Sequence, residues 1–314
     1  MAGASLELEY CLAQEADFEE VMAISTDIYG GLDYLPARYH TWLLEATRKV
    51  FLAKKEGRVV ALVSVSVVDD GRTAVVEGLR VAPAERGRGI AGLVQRHALA
   101  AMKSSFPCLE VQRSSRSGPL GPEVLAKYRM ICHQGVLVLH FLAAELRPKL
   151  SAAIDRLKGW EDPVRLEIRE VKEVFLDPKV VEKVLPGGTI TWDWSPYQPL
   201  QSNLEMLVTR GICWMADSRD NPSVLSLSAA PYKVPAGVGH LRLNIDIFGR
   251  DYPLVRGQFL AQLRRGLEPL QGPIHCLVYM DPSLWPELRA FCKGELGLQN
   301  GHLIDGQKLL EAEI

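Results

Sequence analysis

Three β-branched runs in close succession constrain this chain more than any other feature. Val50 to Ala53, Val59 to Val68 and Ala74 to Val81 are separated only by Glu56-Gly57-Arg58 and Asp69-Asp70-Gly71-Arg72. Short polar joints with glycine between such runs mean an antiparallel meander. The glycine-rich stretch Arg86-Gly87-Arg88-Gly89-Ile90-Ala91 follows, and Ile90, Leu93, Val94, Ala98, Ala101 and Met102 then recur at helical spacing. The last meander strand therefore feeds a glycine loop that opens a helix.

Around this centre the first half reads as an α/β domain. Leu6 to Leu12 alternates as a half-buried strand, and Asp17 with Glu20 makes a capping box for a helix through Ile24. Tyr29 to Tyr39 is a loop, and Tyr39 to Leu44 is helical. Beyond the glycine loop, Cys108 to Val111 reads as a strand, Pro122 to Met130 as a helix and Gly135 to Leu142 as a strand. Residues 1–145 thus run roughly βααβββαβαβ on a mostly antiparallel sheet. A charged helical stretch from Ala144 to Lys158 leads to Gly159 and Pro163, where the boundary is placed, with domains of 1–158 and 159–314.

The second half reads as a strand at Arg165 to Val171, a loop over Pro186 to Pro199, and strands near Ile212 to Met215 and Val224 to Leu227. Leu241 to Phe248 (strand), Tyr252 to Leu267 (helix), Ile274 to Met280 (strand) and Leu284 to Cys292 (helix) follow, and Leu303 to Glu313 closes the chain. This order echoes the first half from its third meander strand onward, the pattern of a diverged duplication.

Bulk composition excludes several classes. A net charge of -2 argues against nucleic acid or an anionic membrane as the main partner. Six scattered cysteines without a CxxC pair fit reduced thiols rather than a disulfide framework. Met1 to Tyr10 lacks the basic start and apolar core of a secretory signal, and the longest apolar run, Val59 to Val68, is too short to span a bilayer. A cytoplasmic location is the expectation. The seven histidines show no metal-ligand spacing, so no metal is expected. His97 reads as a core residue, and His133, near Tyr128, as a possible aid to catalysis. No GxSxG elbow or Cys–His arrangement points to a covalent acyl-enzyme.

Gly87 to Gly92 also spells GxGxxG, the dinucleotide fingerprint, with Glu110 near the place of the ribose-binding acid. Context opposes that reading. A dinucleotide loop follows its strand almost at once within a parallel βαβ unit. Here Ala82 to Arg86, with Pro83, intervenes, and the strand closes an antiparallel meander. Read as Arg-x-x-Gly-x-Ala, the same residues suit a diphosphate: glycines let the backbone approach it, and the first helical turn presents N–H groups with the dipole behind them. Arg86 and Arg88 add two cations.

This Arg-x-x-Gly-x-Ala loop resembles the pyrophosphate loop of the GNAT acyltransferase superfamily. Further blocks resemble the histidine N-acetyltransferases: the loop from Ile28 to His40, Val76-Glu77-Gly78-Leu79-Arg80-Val81, Lys127-Tyr128-Arg129, Leu185-Pro186-Gly187-Gly188-Thr189-Ile190, Ser202-Asn203-Leu204 and Leu243-Asn244-Ile245-Asp246. They cover nearly the whole chain. The resemblance implies a GNAT-type mixed, mostly antiparallel sheet flanked by helices, followed by a degenerate GNAT-like half without the pyrophosphate loop. It also implies acetyl transfer from acetyl-CoA to the α-amino group of free L-histidine, by direct attack in a ternary complex and without a metal.

The resemblance assigns Arg86, Gly87, Arg88, Gly89, Ile90 and Ala91 to the diphosphate, and the backbone of Leu79 and Val81 to pantetheine. The nucleophile must be a neutral amine, so a base or a proton-relaying water is needed. Glu77, four residues before Val81, is the candidate and is expected on the face of Leu79 and Val81. Tyr128 fits as proton donor to the departing thiolate, although the closing Tyr-x-x-x-Gly-Phe spacing of the superfamily is missing. For the acceptor, Arg38 can clamp a carboxylate, Asp33 can accept from an imidazole N–H, and Tyr34 or Tyr39 can stack on a ring, with Tyr29 of the same loop as a further substrate-binding residue. Trp192-Asp193-Trp194 with Tyr197 reads foremost as packing. Another amino acid or small amine as acceptor, or a non-catalytic acyl-CoA sensor, are the alternatives.

Overall fold

The computed structural model describes residues 7–26, 28–157, 159–268, 270–299 and 301–314, the side chains of 302–305 excepted. The chain forms two compact units. The first runs to Ser114 and takes in Val234–Ala236 and Ala312–Ile314; the second holds Ser115–Lys233 and Gly237–Glu311. Lys158, the expected end of the first domain, lies outside the described residues. The segments on either side of it belong to the second unit.

The first unit contains β1 (Glu9–Leu12), α1 (Phe18–Ala23), α2 (Leu35–Leu44), β2 (Arg48–Lys55), β3 (Arg58–Val68), β4 (Thr73–Val81), α3 (Ile90–Ser105) and most of β5 (Val111–Arg116). Its sheet runs β1-β2-β3-β4-β5, antiparallel except for the parallel pairing of β4 with β5. The meander is as expected, because Glu56 and Gly57 both take left-handed backbone (φ 51 and 76), the geometry of a tight hairpin. The two faces bury separate cores. Ile90, Val94, Ala98 and Met102 of α3 cover Val63, Val65 and Val76, while Val21, Leu35, Tyr39 and Trp42 cover Val50, Leu52 and Leu62.

Several local expectations give way to longer-range contacts. The reciprocal cap at the first helix pairs Gln14 with Asp17, not Asp17 with Glu20; the Glu20 carboxylate accepts from Val59 N–H at 3.0 Å instead. The helix expected from Tyr39 starts at Leu35, with Pro36 in its first turn, where a missing N–H costs nothing. The strand expected at Cys108 to Val111 is instead Val111–Arg116. Its polar sequence hid it: Arg113 is buried and paired with Asp69 at 2.9 Å. His97, expected in the core, is exposed and stacks on Tyr10 at 4.1 Å.

The second unit contains α4 (Pro122–Lys127), β6 (Arg129–Leu142), α5 (Ala143–Arg156), β7 (Val164–Arg165), α6 (Ile168–Phe175), α7 (Pro178–Val184), β8 (Ile190–Trp192), β9 (Ser195–Tyr197) and α8 (Gln201–Val208). It continues with β10 (Cys213–Ala216), β11 (Leu225–Ser228), β12 (Tyr232–Lys233), β13 (Leu241–Phe248), α9 (Tyr252–Leu267), β14 (Pro273–Met280), α10 (Trp285–Gly294) and most of β15 (His302–Glu313). Its sheet runs β15-β6-β14-β13-β11-β10-β7 with β12 beside β13, and β13 lies parallel to β14. Residues of α5, α9 and α10 share one core with β6, β13 and β14. The strand expected over Arg165 to Val171 stops at Arg165. A reciprocal cap between Glu167 and Glu170 turns the rest into α6, whose Val171, Val174 and Phe175 are buried. The segment β13–α9–β14 repeats the plan of β4–α3–β5, each with a 16-residue helix between parallel strands. Among the described residues no helix is long and apolar enough to cross a membrane.

Three histidines join in a row within this unit. His140 and His275 are cross-strand partners with Nδ1 atoms 2.5 Å apart, and His275 Nε2 lies 2.7 Å from His240 Nδ1. Burial, then the neighbouring His140 and His240, lowers the His275 pKa to about 4. An unfolded histidine titrates near ~6.5 and so binds protons that the folded chain refuses. The resulting stability is present above that pH and is lost as pH falls towards 4. The melting temperature, followed by circular dichroism, should decline over this window, and His275→Gln should make the decline shallower.

Candidate active site

A single extra residue in β4 shapes the site. Val81 pairs with Ala61 and Arg80 with Leu62, but Glu77 pairs with Ser64, so three steps on β4 match two on β3. Gly78, at φ 69, takes up the difference as a bulge. A side chain there would meet the Trp42 ring at 2.9 Å, so the glycine is required twice over. The bulge puts Glu77 on the face of Gly78 and Arg80, towards α2, while Leu79 and Val81 pack against the α3 core. This corrects the expected sharing of one face by Glu77, Leu79 and Val81: counting by twos holds only along an unbroken strand.

The Glu77 carboxylate, 16% exposed, is held by the Arg48 guanidinium. Arg48 also donates to Glu45 at 2.7 Å and to the Ser64 hydroxyl at 2.8 Å, and lies over the Trp42 ring. Burial works against its charge, and Glu77 and Glu45 more than offset that, raising its pKa. Beside this pair, β4 loses a neighbour. Its pairing with β5 covers Thr73 to Val75 alone, so the strand from Val76 to Val81 has β3 as its ladder partner on one side only. Ala82 N–H donates to Val60 O at 2.8 Å, so alternation turns the peptide groups of Val81 away from β3. The Val81 carbonyl accepts from Arg86 Nε at 3.1 Å.

The glycine loop follows. Gly87 and Gly89 are left-handed (φ 78 and 79), and a Cβ on either would meet nothing within 4 Å. Gly89 stands at the N-cap of α3 with no side chain capping the helix, which leaves first-turn N–H groups facing outward. Ile90 is buried and anchors the turn, while Arg86 and Arg88 are exposed. Arg88 bonds Glu85 at 3.2 Å, and Glu85 also accepts from Lys55 at 3.0 Å. Together these residues make a cationic turn rich in outward N–H groups, a chemistry that suits a diphosphate.

A second cluster lies on the Glu77 face. Tyr29, Gly30 and Gly31 are consecutively left-handed (φ 52, 61 and 89), and Tyr29 leaves 58% of its surface exposed. Tyr29 and Tyr34 stack with centroids 6.2 Å apart, and the Arg80 guanidinium lies 5.4 and 5.5 Å from the two rings. Asp33 is buried; its Oδ1 accepts from Arg80 at 2.7 Å and from Leu35 N–H at 3.0 Å, while its Oδ2 has no hydrogen-bond partner. Arg38 is half-buried in the first turns of α2. Gly31 packs on Ala236, 2.9 Å from where its Cβ would be, so a piece of the C-terminal half of the sequence braces this loop.

Tyr39 does not belong here. It is fully buried, and its hydroxyl donates to the Gln14 carbonyl at 2.7 Å. A ring sealed in the core cannot stack on a substrate, and that expectation is withdrawn. Tyr39→Phe should lower stability by about 0.5–1.5 kcal/mol, the net worth of one hydrogen bond. Urea denaturation would measure this, and the acceptor KM should not move. Arg48 and Arg80 are the residues that the sequence reading missed. For Arg80 the signal was an arginine within the apolar run of β4, which needs a buried partner; Arg48, at the start of β2 beside Lys49, gave no such signal. Tyr128 belongs to the second unit, half-buried with the Arg116 guanidinium 5.8 Å from its ring centre.

Comparison with known proteins agrees with this geometry. Residues 18–115 match the acetyltransferase (GNAT) family, and residues 160–281 match the C-terminal part of histidine N-acetyltransferase. The chain is therefore a GNAT enzyme, an acyl-CoA-dependent N-acetyltransferase. A histidine N-acetyltransferase of Scomber australasicus is 42% identical over 98% of this chain and 94% of its own, and that of Xenopus tropicalis is 44% identical over 98% and 96%. A human protein named probable N-acetyltransferase 16 is 46% identical over 98% and 86%. The chain belongs to the histidine N-acetyltransferase family. Among solved structures, a tandem GNAT protein from the clavulanic acid biosynthesis pathway superposes with a TM-score of 0.59 at 16% identity, covering 98% of both chains. That likeness is one of fold, and it agrees with a second, GNAT-like half.

Proposed function

We propose that this enzyme moves the acetyl group of acetyl-CoA to the α-amino group of free L-histidine, giving N-acetylhistidine and CoA. The observation that carries the reading is the kinship over nearly the full chain with proteins named for that activity. The site's chemistry supports it. First-turn N–H groups from Gly89 to Ala91, with Arg86 and Arg88, hold the diphosphate, and the outward edge of β4 at Leu79 and Val81 receives the pantetheine amides. The amine attacks the thioester carbonyl directly in a ternary complex. Glu77, oriented by Arg48, accepts its proton, through a water if not directly. Tyr128 is the proposed proton donor to the departing thiolate.

Acceptor recognition is assigned to Tyr29, Asp33, Tyr34 and Arg38. Tyr29 presents an exposed ring for stacking, and Asp33 Oδ2 is an acceptor without a donor, matching an imidazole N–H. Residues 1–158 carry the donor chemistry, and the C-terminal half reaches the acceptor loop through Ala236. A small-molecule substrate, a cytoplasmic setting and no need for a metal complete the reading. The test is thiol release from acetyl-CoA across a panel of free amino acids, amines and peptides. Histidine should turn over fastest. Faster turnover of another acceptor would reassign the substrate, and tight CoA binding without release would mark a sensor.

A further inference from the structure

Arg48 answers two carboxylates, and only Glu77 has a place in the chemistry above. The guanidinium, 1% exposed, reaches Glu77 through Nη1 and Glu45 through Nε at 2.7 Å. The Ser64 hydroxyl takes a further bond from Nη1 at 2.8 Å, and the Trp42 ring centre lies 4.7 Å from the guanidinium carbon. The cation is thus fixed from α2, β3 and β4 at once, and both acids act on one buried charge.

Local rules do not place an acid at Glu45. It is the C-terminal cap of α2, in extended backbone (φ -72, ψ 116), at the helix end whose dipole favours a cation. Its N–H donates to the Trp42 carbonyl at 3.3 Å and its own carbonyl accepts from Arg48 N–H at 3.0 Å. This tight turn folds the carboxylate back over the start of β2. A charge that the helix end opposes is held there by the buried guanidinium.

The sum of charges gives it a task. Arg48 with Glu77 alone would be a neutral pair, and a carboxylate so paired resists protonation, because the guanidinium would be left buried and unanswered. With Glu45 present, one cation and two anions carry an excess negative charge. A proton arriving on Glu77 then brings the cluster to neutrality, with Arg48 still paired to Glu45. Glu45 is the more exposed acid, at 23% against 16%, so water supports its charge and the proton goes to Glu77. Arg80 and Asp33, on the same face, form a pair of their own at 2.7 Å and add no net charge. Burial keeps the nearby Tyr34 phenol neutral by raising its pKa.

We propose that Glu45 is a positioning residue for acetyl transfer: by sharing Arg48 it keeps Glu77 able to accept the proton of the incoming amine. The inference rests on Glu77 as the base. Arg48 orients that carboxylate, and Glu45 keeps the same cation from binding it too tightly for a proton to arrive.

The test is the pH profile of single-turnover acetyl transfer at saturating acetyl-CoA, with the fastest acceptor of the panel above. The parent is compared with Glu45→Gln and Glu45→Asp. Glutamine keeps the length and an oxygen for Arg48 Nε but removes the charge. Its transfer rate at neutral pH should fall about three- to ten-fold, and the acid limb should move down by about one pH unit. The KM for each substrate should stay within about two-fold of the parent's, since neither is touched by Glu45. Aspartate retains the charge and should restore most of the rate and the limb. Titration of the acceptor is common to all three proteins, so any displacement of the limb belongs to the enzyme.

Glu77→Gln, run alongside, separates the two ideas. If it keeps the parent's rate and limb, the reading of Glu77 as base fails. If it loses rate while Glu45→Gln matches the parent, the inference about Glu45 is overturned alone. A slower Glu45→Gln whose limb has not moved would likewise overturn it and leave Glu45 a structural cap.

Discussion

Glu77→Gln is expected to lower kcat by about two to four orders of magnitude, the usual contribution of a positioned general base, with the KM for acetyl-CoA unchanged. The amide keeps the length of the side chain and an oxygen for the Arg48 guanidinium, so the bulge at Gly78 and the contact with Trp42 remain. What it loses is the ability to take a proton from the incoming amine. Steady-state thiol release at saturating acetyl-CoA measures the effect. A kcat within the parent's range would mean that Glu77 serves to fix Arg48 and that the proton leaves by another route.

Gly89→Val should act on the other substrate. Gly89 is the left-handed N-cap of α3, and a Cβ there touches nothing, so the change adds no clash. A β-branched residue resists this backbone by about 1–2 kcal/mol, and the loop escapes by turning its N–H groups away from the diphosphate. Loss of two charge-assisted hydrogen bonds, each about 1.5–3 kcal/mol, raises the KM for acetyl-CoA by about two to four orders of magnitude. The melting temperature should stay near that of the parent, since the loop is exposed. A parallel fall in stability, with KM little changed, would place Gly89 among purely structural glycines.

The elements that sequence reading found best are those specified by their own residues. The strand Leu241–Phe248 and the helix Tyr252–Leu267 are found at the expected bounds, with Asp251 capping the helix. The meander is found within a few residues, because valine-rich runs and left-handed turns are local signals. Where the reading failed, a distant partner had taken over. The strand β5 is polar because Arg113 answers Asp69 across the sheet. Alternation from Val164 to Ile168 ran the expected strand on into α6, although Ile168, Val171, Val174 and Phe175 stand at helical spacing behind the Glu167–Glu170 cap. Tyr39 looked like part of a binding loop until α2 carried it into the core.

The strand, glycine loop and helix that define this enzyme's class follow from one stretch of consecutive residues, Val76 to Ala91, and the sequence by itself determined them. Steric freedom at glycine and the order strand–loop–helix are properties of neighbours along the chain. Which way Glu77 faces was settled only in three dimensions. The extra residue at Gly78 is invisible until β3 is aligned beside it, and it reverses the side on which the carboxylate emerges. The same holds for Arg48, 29 residues from Glu77, and for Arg80, 47 residues from Asp33. Buried charges draw their meaning from partners that the fold supplies, and one chain position does not name its partner.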